Sequence, residues 1–192
     1  MNMLFVAATD FEITSFNIKK RPVLITGIGM VNTAMNLTKE LGRKKYDLVI
    51  NMGVAGSFSD ELANGCVVEV IEDNFSEVGF ENDLEFMQFK NFDLQTRFYN
   101  SPRTNLKKVK AITVNTVHGS NTTISRILSR EKADIESMEG ASVFKVCEEF
   151  NVSCLQIRSI SNRIEKRNTE KWDLDLAIRN LNTEVEKIIN AL

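Results

Sequence analysis

The chain has 192 residues, 43% hydrophobic and 8% aromatic, with a formal net charge of −2. That length suits a single domain, 1–192, with a sizeable core. The near-neutral balance, with both signs mixed along the chain, argues against a nucleic-acid surface; the short clusters "IKKR" and "LKKVK" read as solvated loop or edge charges.

The N-terminal "MNMLFVAATD" has too short an apolar run, and no basic lead, for a signal peptide. Its "MLFVAAT" reads as a buried strand. "PVLITGIG" follows, then the helical "VNTAMNLTKELGRK", then the strand "DLVINMG". "CVVEVIED", "AITVNTV" and "VSCLQIRSI" complete the strand-like set. Their Val, Ile and Leu runs without alternation predict strands covered on both faces. Helices are expected at about 31–43, 121–131, 138–150 and 173–191. In the third, Val143, Val146, Cys147 and Phe150 follow helical spacing; in the last, Leu174, Ala177, Ile178, Leu181, Val185, Ile188 and Ile189 do. Strand alternating with helix implies an open α/β sheet with helices on both faces, three layers, α/β/α, around a mixed, mostly parallel sheet. Residues 74–110 break the rhythm: polar-aromatic, containing Pro102, without a clean period. They read as a long excursion with turns and a short strand, the kind of segment that often forms a lid or binding loop. No stretch is long enough to span a membrane, and without a targeting segment the expected location is the cytoplasm.

Cys66, Cys147 and Cys154 sit in apolar stretches and read as buried free thiols. No Cys/His spacing resembles a metal site, and no cofactor is expected. His118 is the only histidine; its ordinary reading is a partly buried loop imidazole.

Six of the nine glycines, Gly27, Gly29, Gly53, Gly56, Gly119 and Gly140, lie at predicted strand ends. In open α/β folds ligands bind outside the carboxyl ends of strands, where glycine permits close backbone approach. Each motif alone also fits a plain structural reading. "GIGMVN" lacks the third glycine of a dinucleotide fingerprint and serves equally as a tight turn. "GVAG" fits a turn, and the carboxylates of "ESMEG" fit a helix N-terminus. Repeated at successive strand ends, they point to one crevice.

"GIGMVNTAMNL", "INMGVAGSF", "IESMEGASVF" and "IRSISNR", in that order, resemble the nucleoside phosphorylase and nucleosidase superfamily over nearly the whole chain, the excursion apart. "ESMEGA", "RSISNR", the following "RN" and Trp172 look most like the futalosine hydrolases of menaquinone biosynthesis. The resemblance implies cleavage of a purine–ribose bond, releasing hypoxanthine from futalosine. Glu139 after Met138 matches the ribose-binding carboxylate, and Met138 would pack beneath the sugar. Glu136 matches an acidic position two residues earlier; a solvent-facing cap is its plain reading. Glu12 in "ATDFEI" matches the water-activating base, although Asp10 nearby leaves the register open. Asn162 stands where adenine-cleaving nucleosidases carry an Asp; its amide can donate to a 6-oxo group but cannot act as a general acid. Val54, Ala55, Gly56 and Arg163 complete the substrate-binding set that the resemblance implies. Arg97, Arg103, Arg163 and Arg167, with Phe80, Phe86 or Phe98, are candidates for the substrate's carboxylated aromatic tail.

Phosphorylases of the superfamily carry phosphate-binding arginines in the first loop and before the "GxxG" strand end. Here those places hold "TDFEI" and Asn51, so water is the expected nucleophile. The alternatives are a phosphate-dependent purine nucleoside phosphorylase, a methylthioadenosine/adenosylhomocysteine-type nucleosidase, and a catalytically silent nucleoside-binding protein. The expected partner is a small nucleoside, with neither nucleic acid nor membrane, and by analogy the protein is a homo-oligomer, a dimer being favoured.

Overall fold

A computed structural model describes residues 1–83, 85–89 and 92–191. In chain order its elements are β1 (Met3–Ala7), a 3-10 turn (Asp10–Glu12), α1 (Phe16–Lys19), β2 (Val23–Ile25), α2 (Met30–Arg43), β3 (Leu48–Ser57), β4 (Val67–Phe75), β5 (Phe80–Asn82), β6 (Glu85–Met87), β7 (Arg97–Tyr99), β8 (Lys107–Thr113), α3 (Asn121–Arg130), β9 (Ile135–Ser137), α4 (Gly140–Glu149), β10 (Ser153–Arg163), a second 3-10 turn (Thr169–Lys171) and α5 (Leu174–Ala191).

The apolar runs became central strands because both faces are covered. Leu37 and Leu41 of α2 and Val143, Phe144 and Cys147 of α4 pack on one face against Val49, Val68, Val70 and Ile160. Leu181, Val185 and Ile189 of α5 pack on the other, against Phe5, Ile50, Met52, Leu155 and Ile157. Ile127 of α3 closes on Ile112 and Val114. The result is the expected three-layer α/β/α sandwich with a mixed, mostly parallel sheet. In it, β3 pairs with β1, β10 and β9. β10 also pairs with β4, β4 with β8, and β8 with β9. Strands β3, β10, β4, β8 and β9 therefore close into a ring, with β1 and β2 continuing outward from β3. The sheet is not the open one that the strand–helix alternation suggests, because β3 carries partners on both of its edges that lead back to each other through β4 and β8.

Several boundaries differ from the sequence reading. β8 begins at Lys107, so "LKKVK" is strand, not loop: Val109 is buried between the outward Lys108 and Lys110. β3 and β10 run on through "GVAGS" and "SNR", so Gly53 and Gly56 lie inside a strand, not beyond its end. The excursion holds the β5–β6 ladder and β7, which joins β4. Cys147 and Cys154 are buried and Cys66 half-buried, all three as free thiols. Among the described residues no helix is long and apolar enough to cross a membrane.

An ion pair ties the excursion to the sheet. Arg97 of β7 bridges Glu72 of β4 and Glu131, whose side chain is only 2% exposed and also accepts from Asn74. Arg97→Met leaves a buried carboxylate short of its cation. A fully buried pair broken this way costs roughly 3–5 kcal/mol; with Arg97 itself 35% exposed, the expected loss in urea unfolding is about 2 kcal/mol. Lys107→Ala, which breaks the exposed pair with Glu61, should leave the urea midpoint unchanged.

Candidate active site

The ends of β1, β3, β9 and β10 bring together a group of buried polar side chains. Glu12 follows β1 on the 3-10 turn and is buried, whereas Asp10 is exposed. Of the two acidic residues of this turn, Glu12 is the one that turns inward. Its Oε2 accepts from the Thr9 N–H at 3.0 Å and from the Thr9 hydroxyl, and its Oε1 from the Val54 N–H at 3.1 Å. Burial pushes the Glu12 carboxyl above its ordinary value, and neighbouring Glu139 adds to this; the Arg158 charge and the two N–H donors oppose it without cancelling it. A carboxylate poised above its usual range is better matched to accepting a proton near neutrality.

Glu139 is equally buried. It occupies the N-cap of α4, yet its side chain makes no capping bond. Instead Oε1 accepts from the N–H of Gly29 at 3.0 Å. Gly29 has φ +94°, a conformation L side chains rarely adopt, and in it the "GIGM" turn presents its amide to this carboxylate. Ser137 takes the N–H of Gly140. Glu139 thus stands at a helix N-terminus, as its plain reading has it, but without a side-chain capping bond, whereas the solvent-facing cap fails for Glu136. Glu136 lies inside β9, 3% exposed, and accepts from the His118 backbone N–H at 2.9 Å and stands 2.6 Å from His118 Nδ1.

Arg158 of β10, 1% exposed, was not singled out from the sequence. Its Nη2 donates to Asn51 Oδ1 at 2.7 Å and its Nε to Gln156 Oε1 at 3.1 Å, while Nη1 lies 3.8 Å from Glu139 Oε2. Gln156 in turn donates to Asp73, which also accepts from Thr113. Burial pushes the Asp73 carboxyl up to about 6, against the hydrogen bonds of Gln156 and Thr113. A cation therefore does stand beside Asn51, supplied by a strand neighbour. Gly53 makes room for it: a methyl there would lie 2.7 Å from Glu12 Oε1 and closer still to Arg158 Nη1. "IRSI" gave no sign of this, since an Arg in a strand ordinarily faces water.

The remaining sequence-derived residues lie around this centre. Val54 and Gly56 are half-buried and Ala55 buried on β3, and Met138 is half-buried between β9 and α4. Asn162 stands opposite Gly56 across the β10–β3 ladder, next to a bulge. Its Oδ1 accepts from the Ser161 hydroxyl at 2.8 Å and its Nδ2 donates to the Arg163 carbonyl at 3.0 Å. Arg163 is exposed and paired with Asp60. Of the tail candidates, Arg97 is engaged by Glu72 and Glu131, Phe98 is core against Phe75, and Phe86 carries Arg130 over its ring. Arg103 donates to Ser153, and Arg167 lies over Trp172. Among the described residues no group of three or more His, Cys, Asp or Glu is arranged to hold a metal.

A sequence profile described as the phosphorylase superfamily matches residues 5–192. The chain is 25% identical over 179 residues to a futalosine hydrolase from Thermus thermophilus, covering 86% of this chain and 80% of that protein. It is 27% identical to a 5'-methylthioadenosine/S-adenosylhomocysteine nucleosidase from Psychromonas ingrahamii, covering 100% and 90%. In three dimensions it is similar to the native futalosine hydrolase of Helicobacter pylori, with TM-score 0.82 at 19% identity over 99% of this chain and 97% of that one. It is similar to the same degree to the Neisseria meningitidis 5'-methylthioadenosine/S-adenosylhomocysteine nucleosidase in complex with methylthio-immucillin-A, with TM-score 0.81 at 19% identity and full coverage of both chains.

The raised Glu12 carboxyl has a measurable consequence. A carboxyl raised by folding contributes stability that is complete below its unfolded value, near 4.5, and is lost as pH rises through the folded value. Glu12→Gln cannot titrate. Whatever fixed offset the amide introduces, the difference in melting temperature, variant minus wild type, should move in the variant's favour between pH 4 and pH 7.5. A flat or opposite trend in differential scanning calorimetry would mean that Glu12 is not held in a desolvated site.

Proposed function

The chain belongs to the phosphorylase superfamily, and from that premise we propose that it is a purine nucleosidase that hydrolyses the N-glycosidic bond of futalosine, releasing hypoxanthine, a step of menaquinone biosynthesis. The observation that carries the reading is the enclosure of Arg158 between Glu12 and Glu139, with Asn51 on its third side. One cation between two carboxylates leaves the pocket net negative. Such a pocket repels phosphate, favours a developing ribosyl cation, and suits water as nucleophile.

In this reading the bond between C1′ and the purine N9 lengthens first, and positive charge grows on the ribose. Glu139 accepts hydrogen bonds from ribose hydroxyls and its charge steadies the cation, with Met138 beneath the sugar. Water attacks C1′ and gives its proton to Glu12, whose raised carboxyl suits that task. The Arg158 guanidinium keeps the two carboxylates oriented and close despite their like charge. Val54, Ala55 and Gly56 form the floor of the base site. Asn162 reads the base: Ser161 occupies its carbonyl oxygen and the Arg163 carbonyl takes one of its two amide N–H groups, so the other N–H is left to donate and a 6-oxo purine is the better match. Relatives named for futalosine and for methylthioadenosine are similar to this chain at 25% and 27% identity; Asn162 favours the former.

The experiment is to incubate the protein with futalosine, inosine and 5'-methylthioadenosine, with and without phosphate, and follow the free base. Hypoxanthine release from futalosine, unchanged by removal of phosphate, is expected. Strict phosphate dependence with a sugar phosphate as product defeats the hydrolase reading, and preferred cleavage of methylthioadenosine defeats the substrate reading.

Asn162→Asp should turn the preference. An ionised carboxylate repels the 6-oxo group, so kcat/KM on futalosine should fall relative to its 6-amino counterpart by about tenfold or more, the size of one lost hydrogen bond to a buried partner. A ratio that moves less than about threefold, roughly 0.7 kcal/mol, means that Asn162 does not read the base.

A further inference from the structure

Glu12, Glu139 and Asn162 together leave one proton of the hydrolysis unaccounted for. When C1′–N9 breaks, the bonding pair goes to the purine, and the base departs far more readily if N7 is protonated as it leaves. Asn162 has no acidic proton to give. Glu12 must begin as the base, and Glu139 is taken up with the ribose hydroxyls. The missing acid has to come from elsewhere in the crevice.

We infer that His118, oriented by Glu136, is the general acid that protonates the departing purine. The inference rests on the proposed nucleosidase activity. His118 is the chain's only histidine, and both its backbone N–H and its ring are held by one carboxylate: N to Glu136 Oε1 at 2.9 Å, Nδ1 to Glu136 Oε2 at 2.6 Å. The side chains are 11% and 3% exposed. A buried carboxylate that grips a loop histidine twice fixes the ring and its tautomer: Nδ1 carries a proton toward Glu136, and the acid form is the imidazolium, with its second N–H at Nε2. Nε2 has no hydrogen-bond partner among the described residues. Nor is it among their buried unpartnered atoms, which are Asn74 Oδ1, Ser76 Oγ and Ser159 Oγ. It therefore opens onto space that a ligand or water can reach.

The sheet register puts this pair beside the base floor. Glu136 stands opposite Gly56 in the β9–β3 ladder, and Asn162 stands opposite the same Gly56 in the β10–β3 ladder. Glu136 and Asn162 thus flank Gly56 on neighbouring strands, about 10 Å apart at two strand spacings, with the Ile164 side chain packed over the glycine between them. The loop carrying His118 is closed on its other side by Phe58, whose ring is 6.2 Å away edge-on, and by the N–H of Arg167, which donates to Gly119. Asn162 would donate to O6 and His118 to N7, which are neighbours on one edge of the purine. In the step itself, C1′–N9 breaks as N7 takes the proton from Nε2, leaving neutral imidazole. Water adds to C1′ and its proton passes to Glu12. Glu12 then releases that proton to solvent, and His118 takes one up again. The sum is nucleoside plus water giving purine plus ribosyl hydroxyl.

The test compares futalosine with futalosine methylated at N7, whose purine is already cationic and leaves as a neutral base without an acid. In His118→Gln, hydrolysis of futalosine should fall by about a hundredfold or more, the usual worth of a general acid. The rate ratio of methylated to unmethylated substrate should rise by at least about thirtyfold over wild type. Glu136→Gln, which loosens the ring without removing it, should move the ratio the same way by less. An equal loss on both substrates, or no loss, overturns the acid role while leaving the nucleosidase reading intact. Should the wild type prefer another purine nucleoside, that nucleoside and its N7-methyl form take the place of futalosine. Wild-type protein that releases base from no purine nucleoside overturns both.

Discussion

A guanidinium with almost no access to water governs this structure. A buried charge is tolerated only where opposite charge and hydrogen-bond partners surround it, and Arg158 draws its partners from distant parts of the chain. Asn51 comes from β3, Gln156 from β10 itself, Glu139 from the start of α4, and Glu12 from the turn after β1. Behind Gln156 the demand passes on to Asp73 of β4 and Thr113 of β8. Thr113 then accepts the N–H of Ala141 in the first turn of α4, which returns the chain of contacts to the helix that begins beside Glu139. The polar centre is thus a closed circuit, and each strand of it is positioned by the need to satisfy the next.

Two glycines make that circuit geometrically possible in opposite ways. Gly29 contributes an unusual backbone angle that turns an amide toward Glu139. Gly53 contributes nothing but the missing side chain, and the space is filled by the head of Arg158 and an oxygen of Glu12. The first is a matter of conformation, the second of volume.

Much of the scaffold was legible in the sequence. Unalternating runs such as "DLVIN" and "VSCLQI" mark strands covered on both sides, and the 3.6-residue spacing of Leu181, Val185 and Ile189 marks the helix that covers them. Glu12, Glu139 and Asn162 stand out as candidates because each sits in a local motif. What could not be read were relationships across the sheet. Arg158 looks like any charged residue in a strand until Asn51, 107 residues away, turns out to be its acceptor. His118 looks like a loop residue until Glu136 is brought beneath it by the pairing of β9 with β8 and β3. "LKKVK" looked solvated because its lysines are; the single inward Val109 is too short a signal to reveal a strand.

The ring of β3, β10, β4, β8 and β9 has a consequence for how the molecule breathes. In an open sheet an edge strand can peel away and expose its neighbours one at a time. A ring has no such starting point, so its inter-strand amides open together, in the same cooperative event as the whole fold. Backbone amides of β3 and β10 should accordingly exchange with deuterium only at the rate of global unfolding, while β2, at the end of the sheet, and the small β5–β6 ladder outside it exchange through cheaper local openings. The strands that hold the buried cation are thereby the last part of the chain to come apart.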